Sequence, residues 1–227
     1  MATIFSQVRA ILKEKGFKVF SRPYELNIVG LRSNSTIANR FDDEIHVFYM
    51  QDNKKWAYHV YKATTDPGTY WLENPSSPKG TAILSEGQNL NAYAIGLHNG
   101  KYKALKQIRP VNVIRDYDRN AILDFMNGRK DKGLFGINIH HARTIGKTKY
   151  INKYSAGCQV FENAIDFKEF LDLCEKHKAL YGNEFTYTLI DKRAVNRLKL
   201  KKVSAAIGFF VLVLGFLFNN EMKGNRR

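Results

Sequence analysis

Two cysteines, Cys158 and Cys174, are too few for a disulfide framework, so this is not a small secreted scaffold held together by cross-links. The first fifteen residues lack a continuous apolar run and a small-residue cleavage site, so they do not read as a secretory leader. There is no internal repeat and no low-complexity tract. Acidic residues are nearly missing from the C-terminal end. Residues 192–227 hold nine Lys/Arg against Glu221 alone, and so carry +8 of the net +15. That concentration weakens a nucleic-acid reading and favours an anionic surface such as a lipid headgroup layer or a wall polymer; no nucleic-acid partner is expected.

A hydrophobic content of 44% and an aromatic content of 13% call for a folded globule. Ile4, Phe5, Val8, Ile11 and Leu12 recur at helical spacing and predict an amphipathic helix over 1–16, ending at Gly16. From Phe17 to Asp116 the signals are mostly strand-like. Strands over 44–50 and 56–61 flank a turn at Asp52 to Lys55, and strands over 93–98 and 102–107 flank Asn99-Gly100. Leu26 to Leu31 and Val111 to Ile114 read as further strands, and Thr65 to Thr69 as a Pro-Gly turn. Tyr117 to Met126 predicts a short helix, Asn127 to Gly133 a polar loop, and Leu134 to His140 a strand. Asp166 to Leu180 is a helix with Asp166 and Glu169 as a capping box and Phe167, Phe170, Leu171 and Cys174 on one face. Phe185 to Ile190 alternates and closes the domain as a strand. The expected class is mainly β with a few helices (α+β), chiefly antiparallel.

Composition changes after residue 191. A basic juxtamembrane linker over 192–202 precedes a transmembrane helix expected over 203–219, whose apolar run is Val203 to Phe218, and a basic tail over 220–227. Sixteen residues, apolar except for Ser204, span about 24 Å, slightly short of a hydrocarbon core of about 30 Å, and Lys201 and Lys202 can snorkel at one edge. The expected location is a membrane, with a single-pass C-terminal anchor and the lipid bilayer as partner. Basic residues are denser before the span than after it, which favours the large domain on the cytoplasmic side.

The chemistry is concentrated in Phe135 to Phe161. His140 and His141 end an apolar alternating run, and Ser155-Ala156-Gly157-Cys158 ends a loop. A thiol beside glycine sits close to exposed backbone N–H groups, and a histidine on a neighbouring strand can take its proton; those are the parts of acyl transfer through cysteine. Strand alternation lets only one of His140 and His141 face the thiol, and His140 is favoured. Cys174, on the apolar helix face, reads as core, and His98 beside a hairpin turn as surface or structural. The histidine pair and Cys158 lack a closely spaced ligand pair on the cysteine side, so no metal or other cofactor is expected.

Fourteen residues separate His140 from Ser155, and Ser155-x-Gly157-Cys158 follows. This segment resembles the signature of the L,D-transpeptidase (YkuD-like) family. Upstream, Thr65-Asp-Pro-Gly68-Thr-Tyr70 is similar to that family's Thr-Pro-x-Gly-x-aromatic segment, and together the motifs cover roughly residues 60–162. Ala156, Val160 and His141 stand where the family usually has His, Arg and Gly. The resemblance implies an L,D-transpeptidase-like β-sandwich over 17–191. It implies Cys158 as nucleophile and His140 as base, Ser155 and Gly157 in the catalytic turn, and Thr65, Gly68 and Tyr70 in a substrate groove. The N–H groups of Gly157 and Cys158 would hold the oxyanion. The implied substrate is a peptidoglycan stem peptide, resolved by an amine or by water. A cytoplasmic catalytic domain conflicts with an external substrate; a phage-encoded lysis or wall-modifying enzyme, which meets its substrate late, reconciles the two. The alternative is a membrane-anchored module that binds wall polymer without chemistry.

Overall fold

The computed structural model describes residues 3–193. The linker beyond 193, the expected transmembrane helix over 203–219 and the basic tail lie outside the described residues. Among the described residues, no helix is long and apolar enough to cross a membrane.

The N-terminal periodicity becomes α1 (Ile4–Glu14), which buries Val8 and Leu12. Thr3 Oγ1 accepts the Ser6 N–H at 3.2 Å at its start, and Gly16, at φ +69°, ends it. Eleven strands follow: β1 (Asn27–Arg32), β2 (Asp43–Met50), β3 (Trp56–Thr64), β4 (Thr81–Leu84), β5 (Gly87–His98), β6 (Tyr102–Gln107), β7 (Val111–Asp116), β8 (Arg129–Gly133), β9 (Ile139–His141), β10 (Gln159–Phe161) and β11 (Phe185–Asp191). A short α2 (Thr69–Glu73) follows β3, and α3 (Ala164–Tyr181) separates the last two strands.

The larger sheet closes on itself in the order β1-β11-β5-β6-β9-β10-β3-β2, and β4-β7-β8 forms a second sheet. The class is thus mainly β, as expected, with three helices among the described residues, but the two-sheet sandwich is replaced by a barrel. Closure comes from β1, which is bonded on both edges: parallel to β11 and antiparallel to β2. Full closure removes the open edges a sandwich would keep. β9 and β10 form the other parallel pair, and the rest are antiparallel. One core runs from Ile28, Ile45 and Val47 through Leu105, Ile139 and Phe161 to Phe167, Phe170 and Cys174 of α3, so Cys174 is core as read.

Both predicted hairpins form. Asn99 and Gly100 take positive φ at the β5–β6 tip, and Lys54 does so between β2 and β3. Two expectations fail. Residues 117–126 form no helix, because Asn120 and Ile122 N–H groups bond the side chains of Asp118 and Asn120 instead of helical carbonyls. Arg129–Gly133 is a strand, not a loop. It is paired only to β7, and its charged composition is what blunts an edge strand. The predicted strand over 134–140 is shorter, only β9, since Gly136 takes φ +71° and turns the chain. α3 starts two residues early: Asn163 is the cap, and its side chain accepts the Ile165 N–H and donates to Asp166, so Asp166 supports the cap from within.

Candidate active site

β9 and β10 bring the motif together. In their parallel register Gln159 lies opposite Ile139, Val160 opposite His140 and Phe161 opposite His141. Successive side chains alternate between faces. Ile139 and Phe161 belong to the barrel core, whereas Cys158 and Val160 pack with Phe41, Ala142 and Ile151 outside it. His140 therefore shares the face of Cys158 as a diagonal neighbour. His141 points the other way, stacked on Tyr102 at 4.2 Å and edge-on to Phe167 at 5.0 Å. That removes His141 as the alternative base.

His140 is 3% exposed. Its Nδ1 is 2.8 Å from the His141 carbonyl oxygen and 3.1 Å from the Tyr102 hydroxyl, which itself donates to that carbonyl at 3.4 Å. A carbonyl can only accept, so the proton belongs on Nδ1 and the lone pair on Nε2. Nε2 is buried and has no hydrogen-bond partner. Burial, then the neighbouring His98, pushes the imidazole down to about 3, so it is neutral at physiological pH.

The thiol is turned to the backbone. Cys158 Sγ accepts the Asn138 N–H at 3.4 Å and donates to the Gly136 carbonyl at 3.4 Å. No Cys158–His140 hydrogen bond is present. The residue is 9% exposed, and burial pushes its thiol up to about 11 against the smaller opposing effect of the Asn138 N–H. The resting pair is thus neutral thiol and neutral imidazole, not thiolate and imidazolium. At pH 7 about one thiol in ten thousand is ionised. Native-state alkylation of Cys158 by iodoacetamide, followed by mass spectrometry, is expected to run about two orders of magnitude slower than that of a free cysteine. Its rate should climb steadily up to pH 10; a plateau below pH 8 would mean that a thiolate–imidazolium pair forms after all.

Ser155 builds the turn and is not positioned to react. It is fully buried; its hydroxyl donates to the Cys158 carbonyl at 2.8 Å and accepts the Gly157 N–H at 3.1 Å. The Gly157 N–H is therefore taken, and of the two oxyanion donors expected, only that of Cys158 is left. Gly157 itself takes φ +121°, and a Cβ there would strike the Ala82 carbonyl, so glycine is required for backbone reasons.

The upstream motif is also structural. Thr65 is buried: its hydroxyl donates to Asp43 at 2.8 Å and accepts from Arg32 Nε at 3.0 Å. Arg32 is paired with Asp66 at 2.8 Å. Gly68 donates its N–H to the Ser155 carbonyl at 2.9 Å, and a Cβ on it would strike the Asn152 carbonyl. Thr65 and Gly68 thus leave the substrate groove and become supports of the cysteine turn. Tyr70 is exposed, with Lys153 Nζ 4.1 Å over its ring.

Sequence reasoning missed three neighbours. His98 stacks on His140 with ring centroids 4.1 Å apart, and its Nδ1 is 3.1 Å from Asn138 Nδ2. Burial, with His141 and Lys106 nearby, lowers the basicity of His98. Asn138 also accepts the Gln107 N–H and gives its backbone N–H to the thiol. Tyr102 is the third. The signal was present: His98 and Tyr102 are cross-strand partners at the Asn99-Gly100 tip. Among the described residues, no cluster of three or more His, Cys, Asp or Glu is arranged to hold a metal ion.

Comparisons with protein-family models, with curated proteins and with solved structures found no match for this chain.

Proposed function

We propose that the protein is a cysteine-dependent acyltransferase of the L,D-transpeptidase type, acting on peptidoglycan stem peptides by transpeptidation or hydrolysis. The observation that carries this reading is the state of His140: Nδ1 is tied to a carbonyl, Nε2 is buried without a hydrogen-bond partner, and Cys158 precedes by two residues Val160, the cross-strand partner of His140. A base oriented by a third group beside a nucleophile is the general triad arrangement.

The thiol leaves the Gly136 carbonyl by rotating about its own side-chain bond and donates to Nε2. As sulfur attacks the peptide carbonyl, Nε2 takes the S–H proton, and the Cys158 N–H receives the developing oxyanion. Collapse of the tetrahedral adduct breaks the C–N bond, and the imidazolium protonates the leaving amine. An amine or water then attacks the thioester; Nε2 takes its proton and returns it to sulfur. Because the resting imidazole is such a weak base, proton transfer must accompany attack and not precede it. The apolar run from Val203 to Phe218 would tether the domain to a bilayer, a reading that rests on sequence.

A wall-binding module without chemistry is the second reading. It is favoured by the covered sulfur and by the structural use of Ser155, Thr65 and Gly68. Incubation of the protein with purified wall fragments, with mass spectrometry of products and protein, separates the two. Acyl transfer predicts new or shortened stem peptides and a peptide-sized thioester adduct on Cys158. Binding to the fragments without either product or adduct would leave only the module.

A further inference from the structure

We propose that the second sheet carries a binding site for a phosphate-bearing polyanion, lined by none of the residues of the cysteine site and independent of the acyl-transfer reading. A cavity of about 490 Å³ is lined by Lys79, Arg115, Tyr117, Arg119, Arg129 and Lys130. Asp131 is the acid in its wall.

The register creates the charge. β7 and β8 place Arg115 directly opposite Arg129. Like charges in directly opposed positions destabilise a sheet unless something neutralises them. Asp131 serves Arg115, at 3.1 Å, and lies 3.7 Å from Lys79. No carboxylate of the described residues pairs with Arg119, Arg129 or Lys130. Nearby acids are occupied otherwise: Asp116 is buried and accepts the Asp124 N–H, and Asp118 holds the Asn120 side chain. The lining thus sets five cationic side chains against Asp131 alone, a positive excess within the cavity.

Arg115 is also preorganised. Nε bonds Asp131, Nη1 bonds the Gly80 carbonyl at 3.0 Å, and the guanidinium lies 4.6 Å over the Phe135 ring. Those bonds use two of its five N–H donors. A fixed guanidinium fork beside an unpaired one is suited to phosphate oxygens, which accept two parallel N–H bonds. Arg129 stands 5.7 Å over the Tyr117 ring, which is half exposed, so the mouth also offers an aromatic face to whatever carries the phosphate. Clustered phosphates and a phospholipid headgroup share this chemistry.

The test is calorimetric titration of the full chain with tripolyphosphate and, separately, with glycerophosphoglycerol, the soluble headgroup of an anionic phospholipid. Tripolyphosphate is expected to bind and to weaken steeply as salt is raised. The charge-reversed Arg119→Glu/Arg129→Glu protein should bind at least about tenfold more weakly. The single Arg119→Gln variant should fall between, which keeps the test open if the double variant does not fold. Lys54→Glu/Lys55→Glu in the β2–β3 turn and Cys158→Ala, none of which lines the cavity, should both match the wild type in tripolyphosphate binding. Binding of glycerophosphoglycerol as well would extend the site to isolated headgroups; binding of tripolyphosphate alone would confine it to clustered phosphates. Absence of binding by either probe, or equal binding by wild type and the arginine variants, overturns the proposal.

Discussion

Cys158→Ala is expected to abolish product formation from wall fragments while leaving the protein folded. The substitution removes the sulfur that forms the thioester, and no other cysteine can replace it, because Cys174 is sealed in the core on the buried face of α3. Its cost to stability should be small, about 1 kcal/mol, since alanine still fills most of the space beside Ala142 and Ile151. His140→Gln is expected to lower turnover by about 10²–10⁴-fold. The loss should be large because burial holds the thiol at about 11 and leaves it dependent on a partner that accepts its proton. Circular dichroism and turnover measured on the same samples decide the matter. A Cys158→Ala protein that retained full activity in its biological assay would end the acyl-transfer reading and leave the wall-binding module.

Arg32→Leu should destabilise the fold by about 3–5 kcal/mol. Arg32 is 1% exposed and is paired with Asp66; it also bonds the Thr65 hydroxyl and carbonyl and the Leu84 carbonyl. Asp43 is bound to the same threonine, and burial already pushes its carboxyl up. Removing the guanidinium takes the buried positive charge away from Asp66 and from Asp43, which keeps only the neutral N–H groups of Ser33 and Thr65 and the Thr65 hydroxyl. For a domain of this size the thermal midpoint should fall by roughly 10–15 °C. The double variant Arg32→Leu/Asp66→Leu should recover part of that loss, because replacing both members of a buried pair is less harmful than orphaning one. A single variant melting within 2–3 °C of the wild type, roughly 1 kcal/mol, would show that the pair contributes little. The network also touches the site: Gln159 Nε2 donates to the carbonyls of Gly157 and Thr65, and its Oε1 accepts from Tyr187.

Local signals in the sequence were reliable where a turn or a periodicity decided the outcome. Asn99-Gly100, the α3 face of Phe167, Phe170 and Cys174, and the alternation of Phe185 to Ile190 all read through to structure. Strand β8 was not legible, because Arg-Lys-Asp-Lys-Gly has no apolar period and is a strand only through its pairing with β7. Barrel closure was equally hidden, since nothing local to Asn27–Arg32 says that it will pair with Phe185–Asp191. In the site, alternation required only that one of His140 and His141 face the thiol; the register of β9 on β10, which puts His140 opposite Val160, was not legible. Nor were the roles of Ser155, Thr65 and Gly68, because residue types that catalysis uses are also those that fix turns and satisfy buried charges. His98 and Tyr102 are paired by the legible Asn99-Gly100 hairpin, but that this hairpin lies against His140 follows only from the pairing of β6 with β9.

The seam between β1 and β11 sets a constraint on how the chain is made. An early strand waits for one of the last, so the contacts that complete the barrel are among the longest in sequence and the slowest to close. Until residues 185–191 leave the ribosome, β1 and β5 each expose an unpaired edge, the kind that recruits other chains. Loss of β11 alone would leave both of those edges open to pairing with other chains.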